Sequence, residues 1–237
     1  MRTAAPASDR VASARSTLWG FALFAVVVAV HVVALAVDAA AVADPTKLLL
    51  MPVLAGAVIW AARRSRPAGF AALLTAVALS WLGDSVGVLP AFLPTIPLML
   101  LLFGLAHVAY IRLFVRWIAV QRLPRWTLVY AAWWVALLAA MAALLLPQPN
   151  GGLMLAALAV YGVLLGATAI TAARCTPAVA VGAALFLASD SLLAFRLFTP
   201  DGALEWTSPL IMLLYGAGQG LIALGAVRTP PRQAVPA

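Results

Sequence analysis

The sequence predicts an all-α protein, a polytopic transmembrane bundle of eight helices with both termini in the cytoplasm. Three observations carry that expectation. The 237 residues are 65% hydrophobic and only 9% charged, whereas water-soluble chains carry about a quarter charged residues. Apolar runs of roughly 17 to 25 residues, enough to cross about 30 Å of hydrocarbon as helix, recur from end to end. The basic residues gather in alternate connections between those runs.

The spans fall near 18–38, 47–62, 68–89, 96–115, 126–146, 152–172, 177–198 and 207–227. The first follows Arg2, Arg10 and Arg15, and "VDAAAVA" at 37 to 43 offers the small residues of a cleavage site. Its apolar stretch from Leu18 to Val37 is 20 residues long, beyond the roughly 7 to 15 of a signal peptide, so it is expected to stay as a helix. Asp44-Pro45 closes the first connection, and Lys47 opens the second span. Arg66-Pro67 precedes the third, and the stretch from Pro90 to Pro97 separates it from the fourth. Leu123-Pro124, Pro147 to Gly152, and Thr199-Pro200-Asp201-Gly202 punctuate the later connections. Residues 1–15 are expected to form a flexible basic tail, 16–228 the membrane domain, and 229–237 a second flexible tail.

A formal charge of +8 would suggest nucleic acid in a soluble protein. Here the arginines sit in short loops, where they act as an orientation signal, so no nucleic-acid partner is expected. With the N-terminus inside, all 15 basic residues except Lys47 and Arg196 fall on the cytoplasmic side, and of the 7 acidic residues only Asp9 joins them. The expected location is a bacterial plasma membrane. The single cysteine, Cys175, excludes an intrachain disulfide and a cysteine-cluster metal site.

Two aspartates stand out against this background. "SWLGDSVGVL" places Asp84, and "FLASDSLLAF" places Asp190, inside apolar runs. An ionised side chain there costs several kcal/mol unless something compensates it. Helix rise puts Asp84 about 24 Å and Asp190 about 20 Å up spans that both run outward, within ~10 Å of the outer boundary. The two phrases align without a gap at an offset of 106 residues, four spans apart. That pattern is compatible with a parallel four-plus-four duplication as in transporters, or with chance.

Other polar residues share this zone. His31 lies in span one, His107 and Tyr110 share a face of span four, and Ser80 shares one with Asp84. Tyr215 and Gln219 share a face of span eight, where Gly216-x-x-x-Gly220 allows close approach by another helix. Each has a plain structural reading. His31 suits a hydrogen-bonded core position. Lys47 and Arg196 can snorkel to the headgroups, and Trp126, Trp133, Trp134 and Trp206 suit an interfacial belt or packing.

The two aspartates can form structural ion pairs, with Lys47 for example, or carry chemistry. No G-x-S-x-G occurs for a serine nucleophile, Ser85 and Ser191 have no sequence partner that marks a triad, and the 2 histidines form no H-E-x-x-H site. Acid–base work by two carboxyl groups remains. Two such groups sharing a poorly hydrated site do not both ionise easily. One can hold a proton while the other, near Lys47, carries the charge, which suits a reaction passing through an oxocarbenium ion. Asp190, about 4 Å deeper, is the expected proton donor, and Asp84 the expected stabiliser of the cation and of the attacking water.

The chain resembles the YhhN/TMEM86 family of lysoplasmalogenases over nearly all its spans. The matching features are Lys47, "SWLGD" ending at Asp84, "FGLAHVAYI" with His107 and Tyr110, "VYGVLL" with Tyr161, "GAALFLASDSLLAF" with Asp190, and "LLYGAGQGLIALG" with Tyr215 and Gln219. Where the family usually has Lys-Pro, Leu48 follows Lys47 here and the proline comes at Pro52. The resemblance implies hydrolysis of the vinyl ether bond of a lysoplasmalogen, a membrane lysophospholipid, to a fatty aldehyde and a glycerophospho-base. It implies Asp84 and Asp190 as catalytic residues, Lys47, His107, Tyr110, Tyr161, Tyr215 and Gln219 as substrate-binding residues, and neither metal nor organic cofactor. Two other classes fit the paired acids: a proton-coupled transporter or lipid flippase, and a binding or assembly protein with structural ion pairs.

Overall fold

In a computed structural model, which describes residues 7–63, 65–88 and 94–229, the chain is a bundle of eight α-helices with no strand among the described residues. They are α1 (Ala7–Ala36), α2 (Ala40–Ala62), α3 (Phe70–Ser85), α4 (Thr95–Leu113), α5 (Leu128–Leu145), α6 (Gly151–Ala172), α7 (Pro177–Phe198) and α8 (Ser208–Arg228). With their short terminal extensions, 7 are long and apolar enough to cross a membrane, and α3 is shorter. The chain is a multi-pass helical membrane protein. Residues 1–6 and 230–237 of the two expected tails lie outside the described residues, and α1 runs on into the stretch ahead of Leu18.

Two expected boundaries are corrected. Span two does not begin at Lys47, because α2 starts at Ala40 and takes Asp44-Pro45 inside the helix. The turn lies earlier. Asp38 adopts a left-handed φ of 54°. The Ala39 N–H then reaches back to Ala34 O at 2.8 Å and the Asp38 N–H to Leu35 O at 3.4 Å. That pair of bonds is a Schellman stop, usually made with glycine, which here falls to an aspartate. Lys47 therefore sits about 10 Å into α2 rather than at its mouth.

Span three does not continue as α-helix to 89. It gives way after Ser85 to a 3-10 turn at Val86–Val88. The Ser85 hydroxyl donates to Trp81 O at 2.7 Å, the kind of local bond that competes with the helix ladder. Asp84 thus stands in the last turn of α3. At the far end of α4 the helix widens into a π-turn, Phe114–Ile118.

Small residues set the tightest contacts. A Cβ on Gly182 of α7 would lie 2.7 Å from Gly218 O on α8, and one on Gly218 would lie 2.8 Å from Gly182 O. These two helices therefore pack backbone against backbone. The Gly216 and Gly220 pair does admit another helix, namely α1. Val28 covers the first glycine and Phe24 the second, 2.8 and 2.9 Å from where a Cβ would be.

Pro52 interrupts α2 and leaves the Leu48 carbonyl without its helical donor. Trp81 of α3 supplies one, its indole Nε1 donating to Leu48 O at 3.0 Å. An unpaired carbonyl is expensive in a bilayer, so this bond joins α2 to α3 one turn before Asp84.

Loop contacts sort the two ends of the bundle. Val120 and Gln121 N–H both donate to Arg174 O, at 2.7 and 3.1 Å, so the α4–α5 and α6–α7 connections meet at one end. The α1–α2 and α7–α8 connections lie at the other, with the start of α4. By the positive-inside rule the first end is the one expected in the cytoplasm. Cysteines introduced into the Cys175→Ala protein at 147–152 or 199–206 should accept an impermeant maleimide from outside the cell, and those at 117–124 should not. Labelling of the 117–124 segment from outside would invert the assignment.

Candidate active site

A cavity of about 380 Å³ opens among the helices at the end opposite the Arg174 connection. α2 contributes Lys47 to its wall, α3 Asp84, α6 Tyr161, α7 Asp190 and α8 Tyr215. These five were singled out from sequence, and they line one space. Most of the remaining wall is apolar, including Met99, Phe103, Leu165 and Ile211. The intervals that bring the residues together are helical: Ser80 precedes Asp84 by four positions on α3, and Tyr215 precedes Gln219 by four on α8.

Those two intervals run antiparallel and form two rungs. The Tyr215 hydroxyl donates to Asp84 Oδ2 at 2.7 Å. One turn deeper, Gln219 Nε2 donates to Ser80 Oγ at 3.1 Å. Gln219 Oε1 accepts from the Tyr110 hydroxyl, which carries the network to α4. Ser80, Tyr110 and Gln219 are fully buried, and their polar groups are satisfied by one another, as buried polar groups must be.

Asp190 is held differently. Its Oδ2 accepts from the Tyr161 hydroxyl of α6, and His107 Nε2 lies 3.8 Å from the same oxygen. His107 Nε2 also lies 3.3 Å from Tyr161 Oη, and its Nδ1 is 3.1 Å from Thr168 Oγ1. Phe186, one turn before Asp190, packs its ring 4.9 Å from the His107 ring and 5.4 Å from the Tyr215 ring. That phenylalanine separates the two carboxylate networks. The tyrosine partners also differ in placement, one on α8 and one on α6, so the two Asp-Ser phrases do not occupy equivalent surroundings.

Of the six residues expected to bind substrate, Lys47, Tyr161 and Tyr215 line the cavity. His107, Tyr110 and Gln219 stand behind its wall. The ion pair between Lys47 and an aspartate is not formed among the described residues, although Asp84 lies within the electrostatic reach of both Lys47 and Asp190. Arg196 does not simply snorkel; its Nε donates to Glu205 Oε2 at 3.0 Å near the same end. His31 bonds Thr46 Oγ1 through Nδ1 at 3.0 Å, a core role as read from sequence. Ser191 donates to Leu187 O at 2.7 Å and accepts from Trp133 Nε1 at 3.0 Å, which leaves no base to activate it.

Sequence reasoning passed over Thr168, Phe186 and Trp81. Thr168 follows Tyr161 by seven positions and so shares its helix face, a signal that was available. Trp81 carried no such sign, because its partner is a backbone carbonyl on another helix.

The YhhN family model matches residues 42–226, which takes in every cavity residue named above; His31, which also lines the cavity, lies ahead of the matched region. No curated protein and no solved structure matches the chain.

Proposed function

Because the chain belongs to the YhhN family, we propose that it is a lysoplasmalogenase-like hydrolase of the membrane, cleaving the vinyl ether bond of a one-chain lipid. One observation carries the reading: two carboxyl groups from different helices face a single apolar cavity that also holds a lysine. An apolar wall suits an alkenyl chain. The Lys47 ammonium suits the lipid phosphate, with which it forms a charge-assisted contact.

The chemistry closes on these residues. Asp190 gives its proton to the β-carbon of the vinyl ether, and the α-carbon becomes an oxocarbenium ion. Ionised Asp84 stabilises that cation and takes a proton from the water that attacks it. The product is a hemiacetal, with Asp190 now ionised and Asp84 protonated. Asp190 then removes the hemiacetal hydroxyl proton as the bond to the glycerol oxygen breaks, and Asp84 protonates that oxygen. Fatty aldehyde and glycerophospho-base leave, and both carboxyl groups regain their starting states.

Purified protein in detergent should release aldehyde from lysoplasmalogen. Detergent removes any gradient, so a transporter would show nothing under these conditions. No aldehyde release from well-folded protein would end the hydrolase reading. Lys47→Gln should raise KM about tenfold, the equivalent of ~1.4 kcal/mol, while kcat changes little.

A further inference from the structure

Counting hydrogens around His107 leads beyond the pair of carboxyl groups. Thr168 Oγ1 spends its hydrogen on Leu164 O at 2.9 Å. His107 Nδ1, 3.1 Å from that oxygen, is therefore the donor of their contact. On the other side of the ring, Nε2 and Asp190 Oδ2 both contact the Tyr161 hydroxyl, and a phenol has one hydrogen to give.

Two arrangements satisfy every contact. If Tyr161 donates to Asp190, Nε2 must carry its own hydrogen, and His107 is an imidazolium beside a carboxylate. If Tyr161 donates to Nε2, the ring is neutral, and Asp190 must be protonated to donate to the phenol. Both contain the same proton. Without it, either Nε2 or the carboxylate faces a phenol lone pair in a buried site, which is unfavourable. The other titratable groups around the ring are committed elsewhere, Tyr110 to Gln219 and Tyr215 to Asp84.

We propose that His107, Tyr161 and Asp190 hold one proton in common, with His107 as the positioning residue that keeps Asp190 supplied with the proton it donates. In the transfer, Nε2 releases its hydrogen to the phenol oxygen as the phenol hydrogen moves to Oδ2. The ion pair becomes a neutral pair, and no proton enters or leaves. Surroundings of low polarity favour the neutral pair, so an alkenyl chain filling the cavity drives the proton onto Asp190 as the substrate arrives. This role rests on Asp190 being the acid of the proposed hydrolysis; the shared proton itself does not.

The chain has only 2 histidines, so labelling the ring nitrogens with nitrogen-15 gives two rings to observe, and His107→Gln assigns one of them. In ligand-free wild type, His107 Nε2 should show a bound or rapidly exchanging hydrogen. In Asp190→Asn, the phenol turns its hydrogen to the ring, and Nε2 should become a bare, accepting nitrogen. A bare Nε2 in both proteins, or no difference between them, overturns the proposal. In turnover, His107→Gln should lower kcat about 10- to 100-fold with KM unchanged, because the ring stands off the cavity wall. A raised KM with kcat retained overturns the positioning role. If wild type cleaves no lysoplasmalogen, the hydrolase reading fails, while the nitrogen spectra still decide whether the proton is shared.

Discussion

Asp190→Asn should lower kcat for lysoplasmalogen cleavage by about a thousandfold, the middle of the range for removal of a general acid. Asparagine keeps the shape and still meets Tyr161, but it has no proton to give to carbon. Carbon protonation makes the cation, so without the donor the reaction does not start. Asp84→Asn should lose less, about a hundredfold, because a neutral amide can still orient water while it fails to balance the cation. The reverse pattern would exchange the two roles, and near-normal rates in both variants would remove the carboxyl groups from the mechanism.

Gly182→Val should produce the largest loss of stability. The new Cβ would meet Gly218 O at 2.7 Å and Ile222 N at 2.8 Å, both backbone atoms that cannot rotate away. α7 and α8 would have to separate, and they carry Asp190 and Tyr215. The expected loss is about 3 kcal/mol or more, at or beyond the upper end of ordinary overpacking. It is read as a lower unfolding temperature in detergent together with lost turnover. Gly56→Ala provides the contrast, because its Cβ would meet nothing within 4 Å. Replacing a helical glycine there should stabilise by up to about 1 kcal/mol. Equal tolerance of both substitutions would mean that α7 and α8 do not pack as described.

Much of this arrangement was legible because a bilayer penalises polar groups so heavily. Asp84 and Asp190 declared themselves by type and depth alone. α7 begins at Pro177 and ends before Thr199-Pro200 because proline marks both ends, and its bounds match expectation. The start of α2 was misread because Asp44-Pro45 looks like a turn, while the left-handed residue that makes the turn is Asp38 rather than a glycine. Pro45 lies inside α2, five residues past Ala40, so the proline does not mark the helix start. Which carboxylate meets which tyrosine was beyond reach. Asp84 pairs across to α8 and Asp190 across to α6, and that choice depends on helix rotation and axial register, which periodicity within one helix does not contain.

The bond from Trp81 to the Leu48 carbonyl also constrains how such a chain can be inherited. Proline at 52 leaves an acceptor that has lost its helical donor, and tryptophan at 81 supplies one from the neighbouring helix. If the proline arose first, the carbonyl stood orphaned in hydrocarbon. If the tryptophan arose first, it was merely a spare donor near a helix that did not yet need it. The order that avoids a penalised ancestor is therefore tryptophan, then proline. Once both were present, reverting the tryptophan alone re-creates the orphan. Position 81 is thus constrained for as long as position 52 is proline, which ties the helix bearing Lys47 to the helix bearing Asp84.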